Sequence, residues 1–111
     1  MLEILDRAGI KIQVALWAFL AEYEDWRKVL SGRTFDELRL LDAYGLLHKS
    51  LRAEGFTVEM TPTILILPMS DPTIKDLRRA FRKTRSVEGM RIGNQLFGDR
   101  FIEDGFVYRI T

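Results

Sequence analysis

Three turn-type dipeptides, Gly93-Asn94, Gly98-Asp99 and Asp104-Gly105, recur five or six residues apart near the end of the chain. Runs of β-favouring residues lie between them. A chain punctuated at that interval has room for short strands and none for a helix. The Asp-Gly pair suits the positive φ of a tight hairpin turn, so Phe101-Ile102-Glu103 and Phe106-Val107-Tyr108 read as its two arms. An antiparallel C-terminal meander is the expectation, and the rest of the chain must pack against it.

Upstream, Ile10, Ile12, Val14 and Leu16 alternate with Lys11, Gln13 and Ala15, the period of a strand. The apolar pattern fills in over residues 17–20, where both faces are expected to be buried. Residues 22–31 read as a short helix: Glu22, Glu24 and Asp25 at its start and Arg27 and Lys28 at its end suit the helix dipole. Tyr23, Trp26 and Leu30 would form its stripe, with Gly32 as the stop. A longer helix opens at Thr34-Phe35-Asp36-Glu37, which matches a capping box. Its inward stripe is Leu40, Tyr44, Leu47 and Leu51, and Gly55 closes it.

Phe56, Val58 and Met60 alternate with polar residues as a strand would. After Pro62, the run Ile64-Leu65-Ile66-Leu67 suits a strand covered on both faces, with Pro68 at its end. Asp71-Pro72 is a helix start, with an N-cap followed by proline at the first position. The order is then β-α-α-β-α-β-β. The expected fold is α+β, a mainly antiparallel sheet with helices packed on it, ending in a C-terminal meander or hairpin and forming one domain over residues 1–111.

The last of these helices, over residues 72–86, carries the strongest pointer to a partner. Lys75, Arg78, Arg79, Arg82, Lys83 and Arg85 stand against Asp76 alone, although the whole chain has a net charge of only +1. On a helical wheel Lys75, Arg78, Arg79 and Arg82 fall within about 100° of one another. Ile74, Leu77 and Phe81 form a separate stripe for docking. Four arginines suit oxyanion recognition, so Lys75, Arg78, Arg79 and Arg82 are the candidate residues for an anionic partner. A solvated face or an acidic protein partner is preferred over nucleic acid. The pI near 8.1 is below the ~9 of a dedicated nucleic-acid domain, and no reading module or aromatic-basic interleaving accompanies the helix.

Catalytic chemistry finds little footing. Without cysteine there is no thiol nucleophile, thiolate metal site or disulfide, which fits a reducing compartment and a cytoplasmic protein. His48, the single histidine, sits at the edge of an apolar stripe and reads as a core-edge residue hydrogen-bonded to backbone. The acidic groups at residues 22–25, 36–37 and 103–104 fall at helix starts and a hairpin, and no acid-x-Lys triplet occurs. Gly93 and Gly98 have the spacing of a phosphate loop, but Asp99-Arg100 stands where Lys-Ser/Thr belongs. No cofactor or metal is expected. The longest apolar run, residues 14–21, is far short of the ~20 residues a membrane helix needs, and no secretion signal opens the chain.

Twelve aromatic residues remain to be placed. Trp17, Phe19, Phe101 and Phe106 lie in or beside expected strands, and a small sheet with helices on one face leaves rings exposed unless a second copy covers them. A binding or interaction module without catalytic machinery, associating as a twofold homodimer, is the reading these features favour. Alternatives are a nucleic-acid-associated protein that uses the helix at 72–86, and a small-molecule fold with a pocket between sheet and helices.

Overall fold

A central strand, buried along one face and partly covered on the other, organises the molecule. In the computed structural model, which describes every residue except Val58, Met60 and Arg85, β1 (Val14–Leu20) sends Val14, Leu16, Ala18 and Leu20 to one face and Ala15, Trp17 and Phe19 to the other. The chain enters through α1 (Leu2–Arg7). After β1 come β2 (Asp25–Ser31), α2 (Arg33–Asp36), α3 (Leu40–Ala53), β3 (Ile64–Ile66), α4 (Pro72–Ala80), β4 (Arg91–Phe97) and β5 (Arg100–Ile110). The described residues build a five-stranded sheet in the order β3-β2-β1-β5-β4. The fold is α+β, as expected.

The sheet is mixed and not mainly antiparallel, because β3 runs parallel to β2 at the edge. A parallel neighbour requires a crossover, and α2 and α3 provide it. The element order also differs from β-α-α-β-α-β-β, since a helix precedes β1 and a second strand follows it. Residues 22–31 are not a helix: 22–24 lie in the turn after β1, and β2 pairs antiparallel with β1 from Val14↔Ser31 to Leu20↔Asp25. The charge order that suggested a helix is worth about 0.3–1 kcal/mol. Burying Val29 and Leu30 contributes roughly 1.5–3 kcal/mol each, and only a strand places them on opposite faces in two cores.

The expected capping box does not form. Thr34 Oγ1 accepts a hydrogen bond from Lys11 N at 2.8 Å, Asp36 accepts one from Met69 N at 3.1 Å, and the short α2 intervenes before α3. On α3, Leu47 and Leu51 are buried with Ala43, Tyr44 is half-buried, and Leu40 stays 61% exposed. Gly55 does close this helix, at φ 88°. The strand expected at Phe56, Val58 and Met60 falls partly outside the described residues; Phe56 and Thr57 are not in a strand.

The C-terminal hairpin is present with its turn elsewhere. Gly98-Asp99 makes the turn, with Gly98 at φ 61°, and β5 runs straight through Asp104-Gly105. A turn at Asp104-Gly105 would forfeit the pairing of β5 with β1, which runs from Val14↔Ile110 to Leu20↔Ile102. Gly105 is needed for closeness instead, since a Cβ there would lie 3.0 Å from the Trp17 carbonyl oxygen. Asn94, at φ 48°, sits inside β4 between the pairs Gly93↔Asp104 and Gln95↔Ile102, so Gly93-Asn94 is not a turn either.

Helices lie on both sides of the sheet. Ile74 and Leu77 of α4 pack on Val14, Leu16, Ile92, Ile102 and Val107, and Phe81 adds to that core. On the opposite side Leu5 of α1 and Ala43, Leu47 and Leu51 of α3 cover Ala15, Leu30, Ile64 and Ile66. Asp71 caps α4 as expected, accepting from Thr73 N at 2.9 Å with Pro72 at the first position. The helix ends at Ala80, however, short of the expected residue 86, and Arg82 and Lys83 lie beyond it. Among the described residues no helix is long and apolar enough to cross a membrane.

Candidate functional site

The α1/α3 layer covers only half of its side of the sheet. Alternation along the strands decides what the other half displays. From β1 come Trp17 and Phe19, and from β2 Trp26 and Lys28, paired as Trp17↔Lys28 and Phe19↔Trp26. From β5 come Asp104 and Phe106, against Phe19 and Trp17, and Arg91 of β4 pairs with Phe106. Two register shifts between β1 and β5 leave Glu103 and Tyr108 as extra residues, and the second brings the Tyr108 ring under Lys28. Leu96 and Phe101, opposite one another at the turn end, extend the same face.

The rings are ordered against each other. Trp17 and Trp26 stack at 5.5 Å between centroids with planes 17° apart, and Phe19 meets Trp26 edge-on at 5.8 Å. Each such pair is worth about 0.5–1.5 kcal/mol beyond its burial. Lys28 Nζ lies 4.0 Å from the Tyr108 centroid, and the Arg91 guanidinium lies 4.8 Å from that of Phe106. Arg91 also grips Asp104 with Nη2 at 3.0 and 2.9 Å from its two carboxylate oxygens. Desolvation pushes the Lys28 amine below its ordinary 10.5. Leu96 is 62% exposed, Phe101 and Tyr108 are each 39% exposed, and Trp17, Phe19, Trp26 and Phe106 are half-buried against their neighbours outside the α1/α3 core.

No protein family, curated protein or solved structure matches this chain. Its surfaces therefore have to speak for themselves.

The residues picked out for an anionic partner lie on the other side of the sheet, on and beyond α4. Lys75, Arg78, Arg79 and Arg82 are all exposed. Arg78, Arg79 and Arg82 line one concavity and Lys75 does not. Arg79 is paired with Asp76 at 2.9 Å, and Arg78 Nε donates to the Thr111 carbonyl at 2.8 Å. His48 is exposed on α3 at the lip of a concavity that also touches Arg52, Phe56 and Thr63, and among the described residues no hydrogen bond reaches it. Its expected backbone partner is therefore not seen.

Arg100 was not singled out by the sequence beyond its place in a failed phosphate-loop pattern. Its side chain is only 16% exposed and bonds Glu22 at 2.8 Å and Asp71 at 2.7 Å, with Thr73 Oγ1 at 3.2 Å. Burial works against its charge, but Asp71 and then Glu22 outweigh that and raise its pKa. The network ties β5, the turn after β1 and the start of α4 together, and it belongs to the scaffold.

The aromatic half-face was legible only as a surplus of rings. Local charge order points to a helix at Trp26 and Lys28, and the alternation of rings with cations runs across strands, so no stretch of sequence displays it.

Proposed function

We propose that this chain is a binding module, without reaction chemistry of its own, that uses the uncovered aromatic half-face to pair with a second copy of itself. The observation that carries this reading is the gathering of Trp17, Phe19, Trp26, Phe106 and Tyr108 on one uncovered face beside Leu96 and Phe101. Aromatic residues are enriched at the centres of protein interfaces, where charges are depleted. A twofold contact sets a patch against itself, which a strongly charged patch resists. Here each cation on the face is seated on a ring, and Arg91 is neutralised by Asp104. Glu22, Glu24, Asp25 and Asp99 lie at the turn end of the same half, which disfavours a polyanion such as nucleic acid. The cysteine-free sequence suits a reducing compartment, and we assign the module to the cytoplasm on that ground.

Sedimentation equilibrium tests the pairing. The wild-type chain is expected to form dimers at micromolar concentration, and Leu96→Glu with Phe101→Glu is expected to give monomers of unchanged far-ultraviolet circular dichroism. A wild type that stays monomeric across that range overturns the reading.

A further inference from the structure

We infer that the concavity at the C-terminal end of α4 binds a phosphate ester bearing a flat apolar group, the chemistry shared by a free mononucleotide and an unpaired nucleotide of a single strand. The hollow is about 350 Å³, near the lower end of small-ligand sites. Its walls are Arg78, Arg79 and Arg82, with Phe81 and Ile110 contributing apolar surface and Thr84 and Thr111 completing the lining. Phe81 and Ile110 are half-buried and pack on the core below, so this apolar part of the lining is anchored.

The dipole of α4 alone accounts for Arg78 and Arg79, since cations stabilise the last turn of a helix. It does not account for Arg82. Past Ala80 the chain leaves the helix, with Thr84 N bonded to the Phe81 carbonyl at 3.0 Å, and Arg82 lines the same hollow from beyond the helix end. Among the described residues no aspartate or glutamate side chain pairs with Arg78 or Arg82. Arg78 is held through Nε, which leaves its two terminal nitrogens to donate. Guanidinium groups suit the bidentate geometry of phosphate, and an aromatic ring beside them suits a base. Inorganic phosphate would use the first feature alone and a nucleoside the second alone.

Nuclear magnetic resonance titration of the full chain with adenosine 5′-monophosphate tests the site, with adenosine, inorganic phosphate and a single-stranded deoxythymidine decamer as the other ligands. The monophosphate is expected to shift the Phe81 and Arg82 amides and to bind about tenfold or more tighter than adenosine or phosphate. Arg82→Glu is expected to weaken it by about tenfold or more. Lys75→Glu, a charge change of the same size on α4 and outside the hollow, is expected to leave it nearly unchanged. Arg82→Gln keeps the stem and serves if the glutamate variant fails to fold. A decamer that binds more tightly per site than the monophosphate identifies single strands as the source, and the reverse identifies free nucleotide. The site is overturned if neither ligand shifts Phe81 and Arg82, or if Lys75→Glu costs as much as Arg82→Glu. Because the hollow lies across the sheet from the aromatic half-face, the Leu96→Glu with Phe101→Glu chain is expected to bind like wild type, so either proposal can fail alone.

Discussion

Lys28 marks the boundary between the covered and uncovered halves of its face. It stands between Trp17 on β1 and Ile64 on β3, with its amine on the Tyr108 ring. Desolvation lowers its pKa from 10.5, so the folded protein holds this proton less tightly than the unfolded chain does. Stability contributed by this group therefore rises with pH, from the depressed folded value up to 10.5. Lys28→Met keeps the stem and removes the charge. The variant is expected to be the more stable at neutral pH, with an advantage that shrinks as pH approaches 10.5; urea melts across that range are the check, and a constant difference would refute the cause given. Little at this scale was legible in the chain. Asp104-Gly105 has the composition of a turn and lies in mid-strand, because a side chain at Gly105 would crowd the Trp17 carbonyl of the neighbouring strand. Nothing near Gly105 in sequence announces Trp17.

At the scale of elements, β3 shows how a short strand survives at an edge. Its inner side bonds to β2, with Lys28 N donating to the Thr63 carbonyl at 2.8 Å and Leu67 N to that of Leu30 at 3.0 Å. Its outer groups meet Tyr44 of α3: Ile66 N donates to the hydroxyl at 2.9 Å, and the hydroxyl lies 3.4 Å from the Ile64 carbonyl. Edge strands invite pairing with other chains unless covered, and here one phenol covers the edge. Tyr44→Phe is expected to cost about 1–2 kcal/mol and to speed exchange of the Ile66 amide; unchanged exchange would remove this role. Elements with local signals match expectation most closely: β3 covers Ile64–Ile66 of the run at 64–67, and the cap and proline of α4 and the glycine that closes α3 are in place. Residues 22–31 depart from the expected helix because their local charge order favours a helix weakly, while a partner strand favours β2 at 25–31 strongly. The basic helix was overdrawn for a related reason. Periodicity continues to Arg82 on a wheel, but α4 ends where Leu77 and Phe81 finish docking on the sheet.

For the whole molecule, the decisive feature is incomplete coverage. α4 lies across one side of the sheet, whereas α1 and α3 cover one half of the other. The cationic hollow and the aromatic half-face consequently look in opposite directions. A dimer formed through the aromatic side leaves both α4 segments outermost and accessible. If dimers form, mass action makes the thermal midpoint rise with protein concentration. That rise is expected in the wild type and absent from Leu96→Glu with Phe101→Glu, and scanning calorimetry at several concentrations reads it directly. The sequence by itself determined that rings were too many for one small core, that positive charge gathers after residue 72, and that the chain mixes strands with helices. Those are matters of composition and short-range periodicity, which every residue carries with it. Only the tertiary structure decided that residues 25–31 are a strand, that the sheet is mixed, and that the rings share one uncovered face. Strand partners come from far along the chain, and which side of a sheet a residue faces is settled by register against them.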